Sequence, residues 1–228
     1  HAGLGRENAD EVGRSREAAG PADLRDLMTR GAEELAGEDE SPLGPVFGDD
    51  QPGDDYHGYL FKVLKAHGIE HFFNIGGNVR FDIRDTTSRV YRKVWEMTAF
   101  AGFLTAREAA KVMVPRGRGT IIFTGATASL RGGSGFSAFS GAKASLRMLA
   151  QSMARELGPQ GVHVAHVVID GAIDTDFIKG RHPDFDNAKA QDLILNPDAI
   201  AANYVMLHNQ PKSAWTHELD LRPWGEKW

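Results

Sequence analysis

Residues 120–143 read TIIFTGATASLRGGSGFSAFSGAK, and they decide what kind of chain this is. The first six, TIIFTG, are β-branched and aromatic and close on a glycine, as short buried strands do. The next ten, ATASLRGGSG, contain a glycine cluster and read as a loop. From Phe136 onward, FSAFSGAKASLRML reads as a helix. A strand, a loop and a helix in that order form half of a parallel α/β unit.

The neighbouring segments repeat the pattern. Upstream, a long helix is predicted from near Thr87 to Val114, with Pro115 as its stop. It is apolar nearly all round over TAFAGFLTA, residues 98–106, so it is expected to be buried or to form a subunit interface. Downstream, GVHVAHVVID (161–170) is apolar on both faces, as a central parallel strand should be. Residues 197–209 read as a further helix and THELDL (216–221) as a final strand. Before all of these, Leu60, Phe61, Val63 and Leu64 make an apolar helix face that ends at Gly68. The strand IEHFFNI (69–75) follows and runs into Gly76 and Gly77. Alternating strands and helices imply a parallel sheet with right-handed crossovers.

Charge divides the chain. Residues 1–55 hold 15 acidic side chains against 5 arginines, while the whole chain of 228 residues has a net charge of −5. The remainder is therefore net basic. Residues 1–57 are rich in Gly and Pro and poor in aromatics, so they read as an acidic, largely irregular region. One narrow apolar stripe, Leu24, Leu27, Met28 and Leu35, predicts a helix from about Pro21 to Ala36. Residues 58–228 read as a separate α/β domain. No basic cluster is interleaved with aromatics, which argues against nucleic acid as a partner. No apolar run has the length of a membrane span, and nothing near the start resembles a signal peptide. Cysteine is absent, which excludes disulfides and thiolate metal sites and fits a cytoplasmic location. The first residue is His1 rather than Met, which reads as a fragment or a processed product.

The segment 120–143 resembles the catalytic stretch of the short-chain dehydrogenase/reductase family. The resemblance covers about residues 69–228 and implies an incomplete Rossmann-like sheet with flanking helices. In that family a Ser after the strand and a Tyr-x-x-x-Lys on the helix do proton chemistry beside a nicotinamide cofactor. Here Lys143 matches the Lys, Phe139 stands at the Tyr position and Ala126 at the Ser position. A supporting Asn is expected three residues before a helix glycine. With Gly102 as that glycine, Ala99 takes its place. Neither Phe nor Ala exchanges a proton, so only the ribose-binding role of the Lys is carried over, to Lys143.

Two further motifs extend the likeness. Asn74-Ile75-Gly76 resembles the Asn-Ala-Gly after the family's fourth strand, which implies that Asn74 and Gly76 support the cofactor. Residues 170–175, Asp-Gly-Ala-Ile-Asp-Thr, resemble its Pro-Gly-x-x-x-Thr, with Asp170 in place of the Pro. The resemblance assigns the nicotinamide carboxamide to Gly171, Ile173 and Thr175. By resemblance the cofactor is NAD or NADP and the substrate a small carbonyl or alcohol. The family's Gly-x-x-x-Gly-x-Gly turn, which holds the pyrophosphate on a helix N-terminus, has no counterpart upstream of Asn74. Without the first strands, 69–75 becomes an apolar edge, and impaired solubility or association into a homo-oligomer is expected.

Other readings weigh less. SPLGPVFGDDQPGDDYHGYLFKVLKAHG, about residues 41–68, resembles a motif of a bacterial family of unknown function, and it assigns no chemistry. LKAHGIEHFF resembles the opening unit of thiamine diphosphate enzymes over barely a dozen residues. His163 and His166 alternate across a strand and His67 and His71 straddle a helix stop, so none of them reads as a metal ligand. The glycine-rich run 131–135 lacks the Lys-Ser/Thr ending of a P-loop and reads as a flexible loop. Thr127, Ser129 and Ser137 are hydroxyls near the lost site, and Asp170 reads as a loop-capping carboxylate. Two functions compete: an NAD(P)-dependent oxidoreductase with impaired chemistry, and a non-catalytic dimerisation or interaction protein.

Overall fold

A computed structural model describes residues 78–225. The readings of 1–57, of the helix at Leu60, of strand 69–75 and of Asn74 and Gly76 lie outside the described residues.

Three parallel strands form the sheet, in the order β1 (Gly119–Thr124), β2 (Val162–Ile169) and β3 (Glu218–Leu221). In register, Gly119 lies opposite Val162, and His166 lies opposite Glu218. Each strand falls within a residue or two of its reading, the usual uncertainty of an element's end. β2 is central and buried along its whole length, which is why VHVAHVVI carries no exposed polar alternation.

Successive side chains of a strand point to opposite faces, and the two faces have separate cores. Ile121, Phe123, Val162 and Val164 pack with Ala106, Ala109 and Met113 of α2 (Ala101–Arg116) and with Leu146 and Ala150 of α3 (Ser137–Leu157). Ile122, Ala165, Val167 and Ile169 pack on Ile200, Ala201, Tyr204 and Leu207 of α6 (Pro197–His208). Each fully buried aliphatic side chain is worth roughly 1.5–3 kcal/mol, so these two layers supply most of the stabilisation. The small residues of α2 and α3 let their backbones approach the sheet closely.

The predicted helix 87–114 is three pieces. α1 (Ser88–Trp95) starts where the Thr87 hydroxyl accepts the Val90 N–H at 3.2 Å. A π-helical turn, Glu96–Phe100, follows and leads into α2. Pro115 does not stop the helix. It lies in the last turn, where it forfeits a single N–H, and the end comes at Gly117, which adopts φ 62° and donates to Val114 O at 3.0 Å. The apolar run is only half buried. Thr98, Ala99 and Ala106 are covered, whereas Trp95 and Phe103 are each 40% exposed.

Between β2 and the last helix lie two short helices that periodicity did not announce, α4 (Asp176–Lys179) and α5 (Phe185–Ala190). α6 (Pro197–His208) matches its reading. Its Asn196 cap accepts N–H donors from Asp198 and Ala199 at 2.7 and 3.3 Å, and Pro197 occupies the first turn. Between α3 and β2, Gly161 turns at φ 85°, and a Cβ there would run into the Gly117 carbonyl. Only glycine fits that crossing.

Candidate functional site

In open parallel sheets, ligand sites collect beyond the carboxyl ends of the strands. Here that end carries Gly125 and Ala126 after β1, Asp170 and Gly171 after β2, and Arg222 after β3. Gly125 extends the ladder by donating to Val167 O at 2.7 Å. A Cβ at Gly125 would fall against the His166 ring and the Ser129 hydroxyl, so the turn needs glycine. The chain then makes a short 3-10 turn, Thr127–Ser129. Ser129 Oγ accepts the Ala126 N–H at 3.1 Å, and Ala126 presents only a methyl group.

Lys143 projects from α3 beneath this turn and is 4% exposed. Its Nζ donates to Thr124 O at 2.9 Å, and the Phe139 ring centroid lies 5.9 Å from the same nitrogen. Burial pushes the ammonium pKa down to about 8. Phe139, one helical turn before Lys143, also stands 6.5 Å from Phe136, centroid to centroid. Ala99 is buried inside the π-helical turn. Ala99 and Lys143 are thus buried, whereas Ala126 and Phe139 are only partly covered.

Asp170 is also buried. It accepts the Thr127 hydroxyl and faces the guanidinium groups of Arg131 and Arg222, each at 3.5 Å. One carboxylate thus joins the loops beyond all three strands, which agrees with its reading as a loop cap. Gly171 is pressed against Pro223, and a Cβ there would lie 2.8 Å from Pro223 Cδ. Ile173 forms a parallel bridge with Leu195. Thr175 caps α4, its hydroxyl accepting the Ile178 N–H at 3.3 Å and lying 3.5 Å from Ile173 O.

Sequence reasoning missed a second polar chain behind the site. His166 is fully buried, and its Nδ1 donates to Glu218 Oε2 at 3.0 Å. Glu218 also takes a forked pair from Arg147, Nε to Oε2 at 2.6 Å and Nη2 to Oε1 at 2.7 Å. A carboxylate only accepts, so the imidazole proton sits on Nδ1 and Nε2 turns a lone pair toward Gly125. Burial outweighs the nearby Glu218 and lowers the His166 pKa to about 4. The signal available in the sequence was a His inside an otherwise apolar strand, which demands a partner. His163 faces the other way. It stacks on Trp215 at 4.8 Å and donates from Nε2 to Thr216 O at 2.8 Å.

A cleft of about 600 Å³ lies elsewhere, at the start of α3, between Arg80, Phe81, Asp82, Gly135 and Ser137. Lys143, Phe139 and Ala126 are not among its walls. Among the described residues no His, Asp and Glu group is arranged to hold a metal ion, and no helix is long and apolar enough to cross a membrane.

The Lys143 ammonium donates to a backbone carbonyl, the Thr175 hydroxyl accepts a helix-cap N–H, and positions 126 and 139 carry no hydroxyl.

Comparison with known proteins places these observations. The "(21S)-21-acetoxyl-apo-melianone synthase SDR" of Melia azedarach is 32% identical over 127 residues, covering 52% of this chain and 46% of that protein. A short-chain dehydrogenase from Rhodopseudomonas palustris superposes with a TM-score of 0.54 at 51% identity, over 67% of this chain and 60% of its own. A 7α-hydroxysteroid dehydrogenase solved with NADH and 7-oxo glycochenodeoxycholic acid has a TM-score of 0.57 over 66% of this chain and 60% of its own. At 23% identity it speaks for the fold alone. The chain spans about half or less of the length of the curated relatives it matches. Residues 63–185, more than half of the sequence, match the short chain dehydrogenase family, and the chain belongs to that family.

Proposed function

We propose that this chain is by family an NAD(P)-dependent oxidoreductase whose own dehydrogenase chemistry is impaired. One observation carries the reading: Phe139 lies over a Lys143 ammonium that is buried and spent on Thr124 O. A hydroxyl at position 139 would be the group that moves a proton to or from a small carbonyl or alcohol substrate, and phenylalanine has none. Ala126 removes the second hydroxyl. The absence of a Gly-x-x-x-Gly-x-Gly turn in the sequence supports weak or absent grip on NAD or NADP.

Titration with NADH and with NADPH, followed by nicotinamide fluorescence, tests this reading. No saturation at millimolar cofactor is the expected outcome, and micromolar binding would sink the proposal. The double variant Ala126→Ser, Phe139→Tyr returns both hydroxyls. It is expected to show no turnover of a generic carbonyl substrate, because the phosphate grip is still lacking. Measurable NADH oxidation by that variant would show that the hydroxyls alone were missing.

A second reading, an interaction protein that works as a cytoplasmic homo-oligomer, is favoured by an aromatic surface. Tyr91, Trp95 and Phe103 are exposed on α1 and α2, and Trp95, Phe100 and Phe103 stack in series at 5.8 and 6.3 Å. Exposed aromatic ladders of this kind mark protein contacts. Sedimentation velocity is expected to show a dimer or larger species that Trp95→Ser, Phe103→Ser converts to monomer. A monomeric parent chain would remove this reading.

A further inference from the structure

Residues 174–194 leave the sheet after β2 and return before α6 as a closed excursion. Its ends are pinned together, because Asp174 N–H donates to Leu195 O at 2.9 Å and Leu195 N–H to Ala172 O at 2.8 Å. Between the ends, α4 and α5 enclose a small core of their own. Phe185, Ala188 and Ile194 pack there with Ala172, Ile178 and Leu193, apart from both cores of the sheet. A segment with one hinge and a private core opens as a unit.

The chain crosses this excursion again immediately after β3. Arg222 faces Asp170 at 3.5 Å, and Pro223 presses on Gly171 at the hinge. Trp224 donates its indole N–H to Gln191 O at 3.0 Å while 80% of the residue stays exposed. Gly225 lies against Leu193. Residues 223–225 thus each touch the excursion or its hinge, and Arg222 ties them to Asp170 at the end of β2. An indole held open to water by one hydrogen bond marks a tether rather than a core residue, since a packed Trp would be covered.

We infer that residues 222–225 form a strap holding the 174–194 excursion shut, with Asp170 as the positioning residue that anchors it. The anchor is a buried carboxylate that also holds Thr127 and faces Arg131, so the strap is tied to the turn beyond β1 as well. This inference stands whether or not a cofactor binds, because it concerns how the segment beyond β2 is kept closed.

Hydrogen exchange on the full chain tests it, with the Asp174, Leu193 and Leu195 amides as reporters and the Val164–Val168 amides of β2 as reference. Losing a charge-assisted anchor in Asp170→Asn is expected to speed exchange at the reporters about tenfold or more, with β2 unchanged. Trp224→Phe, a surface change that keeps the ring and loses only the indole N–H, is expected to act in the same direction and more weakly. Equal acceleration in β2 would make Asp170 a contributor to global stability only and would overturn the inference. Unchanged reporters in Trp224→Phe would overturn it too, and they decide the matter if Asp170→Asn does not fold.

Discussion

Lys143→Met is expected to leave the protein at least as stable as its parent at pH 7 and to erase a rise in stability that the parent shows from about pH 8 to pH 10.5. The folded state holds the Lys143 pKa at about 8, against an ordinary 10.5, because burial penalises the charged form. Below pH 8 the amine is charged in both states, and the folded chain carries the full cost of an ammonium out of water. Between pH 8 and 10.5 the folded state releases its proton first, the unfolded chain binds more protons, and stability climbs with pH. Above 10.5 the amine is neutral in both states and the cost has gone. A displacement of this size corresponds to about 3 kcal/mol.

Methionine has similar length and carries no charge, so it avoids the cost entirely. It forfeits the bond to Thr124 O, worth about 1 kcal/mol net. Urea midpoints of parent and variant, taken at pH steps through this window, measure the difference. The parent alone should show the slope. Identical slopes would mean that Lys143 is solvated in the folded protein, and the argument that its ammonium is spent on Thr124 would fall with it. A lysine in a working dehydrogenase site must keep its charge available to a ligand, so this stability measurement also bears on function.

How far the fold was legible follows from which forces set each element. β1 and β2 are continuous apolar runs bounded by glycines, and burial on both faces leaves such runs no other place to go. The end of α6 and the strand THELDL were equally readable. Pro115 misled because its effect depends on position: a proline that breaks a helix interior is tolerable in the last turn. The π-helical turn at Glu96–Phe100 has no compositional marker, since it differs from α-helix by one hydrogen-bond register. α4 and α5 are too short to show a 3.6-residue period, and their core forms only once Ile173 and Leu195 meet.

The site divides along the same line. Ala126, Phe139 and Lys143 were singled out by resemblance to a motif that lies within one strand–loop–helix unit, and in the structure the Phe139 ring centroid lies 5.9 Å from Lys143 Nζ. What Lys143 does there was not legible, because its rotamer decides which acceptor the amine reaches, here Thr124 O. Asp170 stood out as a carboxylate at a strand end, yet its partner Arg222 arrives from β3, and only strand order brings them together. The same holds for His166 and Glu218, which meet by sheet register. Long-range pairs of this type depend on topology, whereas local motifs carry their own signal.

The His166–Glu218–Arg147 chain makes the fold sensitive to acid, and the expected window is set by burial of the imidazole. Its folded pKa is about 4 against an ordinary 6.5. Above pH 6.5 the ring is neutral in both states and stability is complete. As pH falls from 6.5 to 4 the unfolded chain takes up a proton that the folded chain refuses, and about 3 kcal/mol is lost. Refusal has a geometric cause, since Nε2 points at the Gly125 turn and a proton there would find no acceptor. Glu218 is held below its usual value chiefly by the Arg147 hydrogen bond, so its own loss begins only below about pH 4.5 and adds at the acid end. His166→Gln keeps an N–H for Glu218 and cannot titrate. The variant is expected to be less stable than the parent at pH 7, because glutamine fills the ring's place imperfectly, and nearly flat from pH 6.5 to 4. Denaturant midpoints through that range measure it, and a variant as steep as the parent would assign the acid sensitivity to other groups. Glu218→Gln supplies the complementary case: it removes the carboxylate that favours the charged ring, so the imidazole should resist protonation further. Its acid loss should then continue below pH 4, where the parent's levels off, while Arg147 is left without its forked partner.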